Sequence, residues 1–270
     1  MDPMSQFWSG RRVLVTGGHG FLGRVVVSML VAEGAEVAVP RHSECDLTVP
    51  GEAHRVLADV RPSHVVHLAA RVGGIGYNQV DPARLYLDNL LMGTYVIEAA
   101  RATGVEKTVL LGTVCSYPKF TPVPFREESL WDGYPEETNA PYGVAKKAHL
   151  LHAQVNAQQY GQRFAYLIPT NLYGPGDKFH PSVSHVIPAL IKKCVEARES
   201  GAGHIDVWGT GSASREYLYV DDAASAIVLA AENHDGTEPI NLGADREITI
   251  KETAHAVAEV TGFDGELRWD

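Results

Sequence analysis

Short apolar runs alternate along most of this chain with longer stretches whose apolar positions recur every three or four residues. Arg12–Thr16, Glu36–Val39, His64–Leu68, Lys107–Leu111 and Gln162–Ile168 are brief and rich in Val, Leu and Ile. Continuous apolarity of that length predicts strands buried on both faces. Between them, Phe21–Glu33, Pro50–Val60, Leu85–Thr103 and a stretch from Pro141 to Tyr160 read as helices. Strand–helix alternation of this kind implies an α/β fold, a doubly wound parallel sheet with helices on both faces.

After Pro169 the pattern loosens. Pro175, Gly176, Pro181 and Pro188 break the chain into shorter pieces, with a helix at Ile187–Glu199, a strand at Ile205–Trp208 and a helix at Asp221–Glu232. Open parallel sheets take ligands beyond the carboxyl ends of their strands. A smaller C-terminal lobe made of these pieces would close over that edge. The expected division is residues 1–170 for the sheet domain and 171–270 for the lobe, the two interleaved.

Gly17-Gly-His-Gly-Phe-Leu-Gly23 joins the first predicted strand to the first predicted helix. Glycine in a G-x-x-G-x-x-G turn permits close backbone approach, and a helix N-terminus favours negative charge. The reading is a Rossmann-type dinucleotide site formed by Gly17, His19, Gly20, Phe21, Leu22 and Gly23. An acidic residue ending the second strand would hold the 2′-hydroxyl of NAD. The chain has Val39-Pro40-Arg41-His42 there, and a cationic Arg41 suits the 2′-phosphate of NADP. The competing reading of Arg41 is a solvated loop residue. Asp46 and Leu47 are candidates for the adenine, and Leu68, Ala69 and Ala70 for the pyrophosphate, although all five suit packing equally well.

Tyr142 and Lys146 are four apart on a predicted helix and so share a face. An ammonium beside a phenol favours the phenolate, which would bring proton transfer closer to neutral pH. Thr113 offers a hydroxyl where the Lys107–Leu111 strand ends, and Cys115 a thiol two residues on. At a period of two these side chains fall on one side. Hydroxyl, phenol and ammonium make a set suited to polarising a carbonyl for hydride transfer.

The glycine turn, the hydroxyl residue and Tyr-x-x-x-Lys together resemble the extended short-chain dehydrogenase/reductase family. More narrowly, the chain resembles the branch that epimerises at C3 and C5 and reduces at C4 the sugar of GDP-4-keto-6-deoxy-D-mannose. The resemblance runs through Val72-Gly-Gly-Ile75, Leu111–Pro118, Asn139–Lys146, Pro169–Pro175, Ser184–Leu190, Val207–Gly211, Arg215-Glu216 and Val220–Asp222. It implies NADPH as cofactor, Thr113, Tyr142 and Lys146 as reductive groups, and Cys115 and His185 as the acid/base pair for epimerisation. Without it, Cys115 reads as a small buried hydrophobe and His185 as one of 12 histidines.

An anionic nucleotide sugar needs cations near its diphosphate. Arg215 is the first candidate and Lys193 the second. Trp208 would stack on the base or pack against the sugar, and Asn171 would bond the sugar. Core packing for Trp208 and a solvated helix face for Lys193 are the plainer readings. The alternatives within the family are other 4-keto nucleotide sugars of the colitose or 6-deoxy-heptose type. A non-enzymatic dinucleotide sensor on the same fold is the remote one.

Two departures stand out. The family usually has serine where Thr113 stands. Its Trp-Asp run, here Trp269-Asp270, is ordinarily followed by some tens of residues that finish the lobe, so the lobe is expected to be incomplete at its C-terminus.

Composition narrows the partners. The 270 residues carry a net charge of −10, which argues against a nucleic-acid backbone as main partner but not against a phosphorylated ligand bound locally. No apolar run approaches the roughly 20 residues that cross a bilayer, so no membrane partner is expected. Met1–Gly10 does not read as a signal peptide. Cys45, Cys115 and Cys194 lie far apart, fit a reducing cytoplasm and give no metal-binding spacing. The resemblance implies a homodimer. Leu87, Leu90, Leu91, Thr94 and Tyr95 permit one through paired helices at Leu85–Thr103 and Tyr142–Tyr160.

Overall fold

The computed structural model describes residues 6–73, 80–180 and 184–270. Gly74 and Ile75 of the Val72–Ile75 run, Pro181, and the first five residues of the chain lie outside the described residues.

Six parallel strands form the central sheet. They are β1 (Arg12–Thr16), β2 (Glu36–Ala38), β3 (His64–His67), β4 (Lys107–Leu111), β5 (Arg163–Pro169) and β9 (Ile240–Leu242), in the spatial order β2-β1-β3-β4-β5-β9. The chain leaves β1 toward β2 on one side and resumes with β3 on the other. That reversal opens a crevice at the carboxyl ends of β1 and β3.

Helices α1 (Phe21–Ala32), α2 (Glu52–Val60), α3 (Pro82–Thr103) and α4 (Ala140–Tyr160) cover the sheet. Sequence fixes their ends. The Asp81 carboxylate accepts from the Arg84 N–H, Pro82 opens α3 where no N–H is needed, and Gly104 closes it in the left-handed region. Pro141 occupies the first turn of α4 and Gly161 its C-cap. α2 and α3 bury Val56, Leu57, Val96 and Ala100 against Leu14 and Val65. α4 buries Leu150 and Ala153 against Leu110, Phe164 and Tyr166.

The chain does not leave the sheet for good at residue 170. Helix α6 (Val220–Asn233) packs Ala224, Ile227 and Val228 on Val13, Val15 and Val26, and β9 then extends the sheet beside β5. The lobe is built from what lies before and after this return. It comprises β6 (Asn171–Tyr173), α5 (Val186–Ser200), β7 (His204–Val207), β8 (Ser214–Tyr219), β10 (Glu247–Thr249), α7 (Ile250–Thr261) and β11 (Glu266–Trp269). β10-β8-β6 form one small sheet and β11-β7 another. Leu190, Cys194, Ile205, Val207, Ala254 and Phe263 make the lobe's own core. β6 and β8 to β11 were not foreseen from the periodicity. Three of the five have only three residues, too few to show a period.

Candidate active site

β1 ends at Thr16 and the chain turns through Gly17, whose φ is +72°. A Cβ at Gly17 would stand 2.6 Å from the Ala69 backbone nitrogen, and one at Gly23 only 2.2 Å from the Gly17 carbonyl oxygen. The turn is therefore pressed against both β3's exit and its own helix, and only glycine fits. Gly20 caps α1 without a side-chain hydrogen bond, and no acidic residue sits in the first turn. The helix presents its N–H groups and the positive end of its dipole to the crevice, a cradle fitted to a diphosphate.

The crevice continues as one cleft of about 2520 Å³. It spans from the glycine turn, past Arg41 and Leu47, along Leu68–Ala70, to Trp208 and Arg215 on the lobe. Drug-sized ligands fill pockets of roughly 300–1,000 Å³, so this one has room for two nucleotide ligands end to end. Among the described residues its lining carries nine lysines and arginines against seven carboxylates, although the chain's net charge is −10. Local charge thus suits anionic ligands that the whole protein would repel.

Every residue singled out from the sequence for catalysis, cofactor or substrate lines this cleft except Asp46. The Asp46 carboxylate instead accepts from the backbone N–H of Thr48 at 2.9 Å and from its hydroxyl at 2.7 Å. Those bonds hold its carboxyl below the usual range and fix the turn that presents Leu47. Arg41 and His19 are exposed at the cleft, and the Arg41 guanidinium makes no ion pair among the described residues.

At the junction, β4 gives way at Thr113 to a single 3-10 turn, Val114–Ser116. This corrects the expectation that Cys115 follows Thr113 at a strand's period of two. The backbone has left the extended conformation, and Thr113 is the cap of the turn, its Oγ1 accepting from the Cys115 N–H at 3.2 Å. The cap still brings hydroxyl and thiol together. Burial pushes the Cys115 thiol up, with the Thr113 hydroxyl opposing it. Ser116 donates to the Gly143 carbonyl at 2.9 Å, tying this turn to the start of α4, where Tyr142 sits.

Lys146 Nζ stands 5.7 Å from the Tyr142 ring centroid, and Lys146 is 2% exposed. The phenol's proton affinity is the opposite of the expectation. Burial, helped by Cys115, pushes Tyr142 well above the ordinary phenol range, while burial lowers Lys146 to about 8. Desolvation penalises both charged forms and outweighs the attraction between them.

His185 caps α5 and is exposed to the cleft. Trp208 is 80% exposed, so core packing is not its role, and Lys193 Nζ lies 5.3 Å from its ring centroid. Lys193 also donates to the Asp206 carbonyl at 2.7 Å, and Asn171 Nδ2 to the Glu216 carbonyl at 3.0 Å. Arg215 makes no ion pair among the described residues; its Nη1 donates to the neighbouring Ser214 carbonyl.

Sequence reasoning missed Arg71, Asn241 and Arg246, which share the lining. Arg71 pairs with the buried Asp88 at 2.7 Å and directly follows the Leu68–Ala70 run, a usable signal. Asn241 accepts from the Tyr117 hydroxyl at 2.7 Å and binds the 125–127 segment through its N–H groups. Arg246 follows the unforeseen β9, and neither of the last two had a local signal.

Comparison with known proteins agrees with this geometry. Residues 13–243 match the NAD dependent epimerase/dehydratase family, and the chain belongs to that family. It is 44% identical over 273 residues to a protein of Oryza sativa subsp. japonica named "Probable GDP-L-fucose synthase 1", covering all of this chain and 83% of that one. It is 41% identical over 261 residues to the GDP-L-fucose synthase of Sinorhizobium fredii, covering 97% and 83%. Its fold superimposes with a TM-score of 0.90, at 26% identity, on a GDP-mannoheptose C4 reductase from Campylobacter jejuni with NADP bound, covering 99% and 88%.

Proposed function

We propose that this protein is an NADPH-dependent 3,5-epimerase/4-reductase that converts GDP-4-keto-6-deoxy-D-mannose to GDP-L-fucose. One observation carries the reading: Thr113, Cys115, Tyr142, Lys146 and His185 all open into a single cleft between a diphosphate cradle and an aromatic–cationic lobe face. The names of the rice and Sinorhizobium relatives support the substrate, and the NADP-bound neighbour supports the cofactor.

Gly17, Gly20 and Gly23 leave room for the cofactor's diphosphate at the N-terminus of α1, and Arg41 takes the 2′-phosphate. NADPH, when bound, supplies the hydride for C4. Protons next to a C4 ketone are acidic because the enolate spreads its charge onto oxygen. Cys115 and His185 remove and return protons at C3 and C5, one group on each face of the ring. Thr113 and Tyr142 hydrogen-bond the C4 oxygen and stabilise its developing charge. Tyr142 then gives its phenolic proton to that oxygen; a phenol kept protonated by burial starts in the form that reduction requires. Lys146 holds the phenol and the cofactor's ribose in register. Arg215 and Lys193 meet the substrate diphosphate, and Trp208 stacks on the base.

Incubation with NADPH and GDP-4-keto-6-deoxy-D-mannose, with the product identified by NMR, tests the reading. In deuterium oxide without cofactor, deuterium enters C3 and C5, and Cys115→Ser with His185→Asn abolishes that entry. If NADPH is not oxidised with any 4-keto nucleotide sugar, the reading fails.

Thr113 favours a second reading. Its extra methyl stiffens χ1 where the family usually has serine. The cleft would then take a different 4-keto sugar, as the heptose-reducing neighbour does. A substrate panel in the same assay separates the two.

The assembly we infer is a homodimer through α3 and α4, which expose Tyr86, Leu87, Leu151, Val155 and Tyr160. Sedimentation equilibrium checks it. Three free cysteines suit a reducing cytoplasm as the place of action.

A further inference from the structure

Beside Lys146 lie two buried imidazoles that the mechanism above does not use. His67 ends β3 and is 1% exposed. Its Nδ1 is 2.8 Å from the Thr16 hydroxyl, and its Nε2 is buried with no hydrogen-bond partner. His149, also 1% exposed, bonds the Leu90 carbonyl through Nε2 at 3.2 Å. Its ring fills the space that Gly93 of α3 leaves open. Lys146 is buried in the same place, near enough for its charge to depress the basicity of both histidines.

His149 of α4 and His67 of β3 lie within reach of the Lys146 charge, and the Tyr142 ring centroid is 5.7 Å from its Nζ. The Tyr166 hydroxyl of β5 donates to the Lys146 backbone carbonyl at 2.7 Å, and the Cys115 thiol of the turn after β4 faces the Tyr142 phenol. None of these is a carboxylate. A buried ammonium requires acceptors, and an imidazole nitrogen without a partner requires a donor.

We propose that His67 is a positioning residue for Lys146: its Nε2 lone pair accepts the ammonium's hydrogen bond through one buried water, fixing the height and proton affinity of the lysine. The proposal requires the tautomer in which Thr16 Oγ1, already accepting from the Ala69 N–H at 3.3 Å, also accepts from His67 Nδ1–H at 2.8 Å, which leaves Nε2 bare. Thr16 precedes Gly17, so the same hydroxyl joins the glycine turn to the lysine. Lys146 and the cofactor cradle are thereby held to one another across β1 and β3.

The inference rests on the reading of Lys146 as the partner of Tyr142, but its test needs neither substrate nor cofactor. In the cofactor-free protein, ¹⁵N NMR of histidine is expected to show His67 as the neutral Nδ1–H tautomer; an Nε2–H tautomer overturns the proposal. Lysine side-chain NMR, with the Lys146 signal assigned by its absence in Lys146→Met, reads the second arm. His67→Leu removes the acceptor and lowers the Lys146 pKa by about one unit, a typical consequence of losing one hydrogen bond to a charged form. His67→Gln, which keeps an acceptor, restores it. Equal values in wild type and both variants, or equal shifts in both variants, overturn the proposal. If instead Lys146→Met reduces substrate normally, the proposed reaction mechanism fails while the His67 result stands.

Discussion

The Cβ that Gly143 lacks would stand 2.3 Å from the carbonyl oxygen of Cys115. The 3-10 turn after β4 rests directly on the backbone of α4, one residue beyond Tyr142. The spacing of thiol, hydroxyl and phenol is set by this contact rather than by any of the three side chains.

Gly143→Ala is therefore expected to push the turn away from the helix. Overpacking of this kind destabilises by about 1–3 kcal/mol. The variant should lose epimerisation and reduction together, by more than tenfold in kcat on the order expected for displaced proton-transfer groups. Its affinity for NADPH should stay at the wild-type value, because the cradle at α1 is untouched. Thermal melts, steady-state kinetics and cofactor titration read the three effects.

Burial of Lys146 predicts a pH signature in stability. Its folded value of about 8 lies below the ordinary 10.5. Between those values the unfolded chain binds more protons than the folded one, so stability rises with pH across that window and is lost as pH falls back toward 8. Below 8 the full penalty applies, about 3 kcal/mol from 1.36 kcal/mol per unit. Lys146→Met should thus be more stable than wild type at pH 7 and converge with it near pH 10.5. Urea denaturation at several pH values checks this; a gap independent of pH overturns it.

In the proposed reading Arg41 bears the choice of dinucleotide. A charge-assisted bond to a phosphate is worth about 1.5–3 kcal/mol, so Arg41→Ala should weaken NADPH binding by at least about tenfold. NADH binding should not change. An NAD preference in the unmodified protein would remove the assignment.

On the lobe, the Lys193 ammonium lies 5.3 Å from the Trp208 ring centroid, and the proposed function has a nucleotide base stack there. Losing a stacking surface worth about 1–1.5 kcal/mol, Trp208→Ala should raise KM for the nucleotide sugar about tenfold while kcat and NADPH affinity hold. Since Trp208 is exposed, its melting temperature should match wild type; a large drop would place it in the lobe's packing instead.

The cofactor half of the site was legible because its signals are local. A glycine turn between strand and helix, and a tyrosine four residues before a lysine, are patterns of neighbours in the chain. The lobe was less legible. β6, β9 and β10 have three residues each, and their pairing is decided by partners far along the chain, such as Leu167 for Ile240 and Tyr217 for Asn171. The cap at Thr113 and the bonding of Asp46 to Thr48 also escaped, since each depends on local hydrogen bonds competing with an extended backbone.

By itself the sequence determined the doubly wound core, the glycine turn at Gly17–Gly23 and the chemical types of the groups that line the cleft beyond it. Tertiary structure alone decided that helix 220–233 and strand 240–242 rejoin that core. It also decided that Trp208 and Arg215 face the glycine turn across one cleft, and that the Tyr142 phenol holds its proton more tightly than its lysine neighbour suggests. The physical reason is range. Turn and helix spacing follow from bonded neighbours, whereas burial, and with it every shifted proton affinity, follows from how segments distant in sequence exclude water from one another.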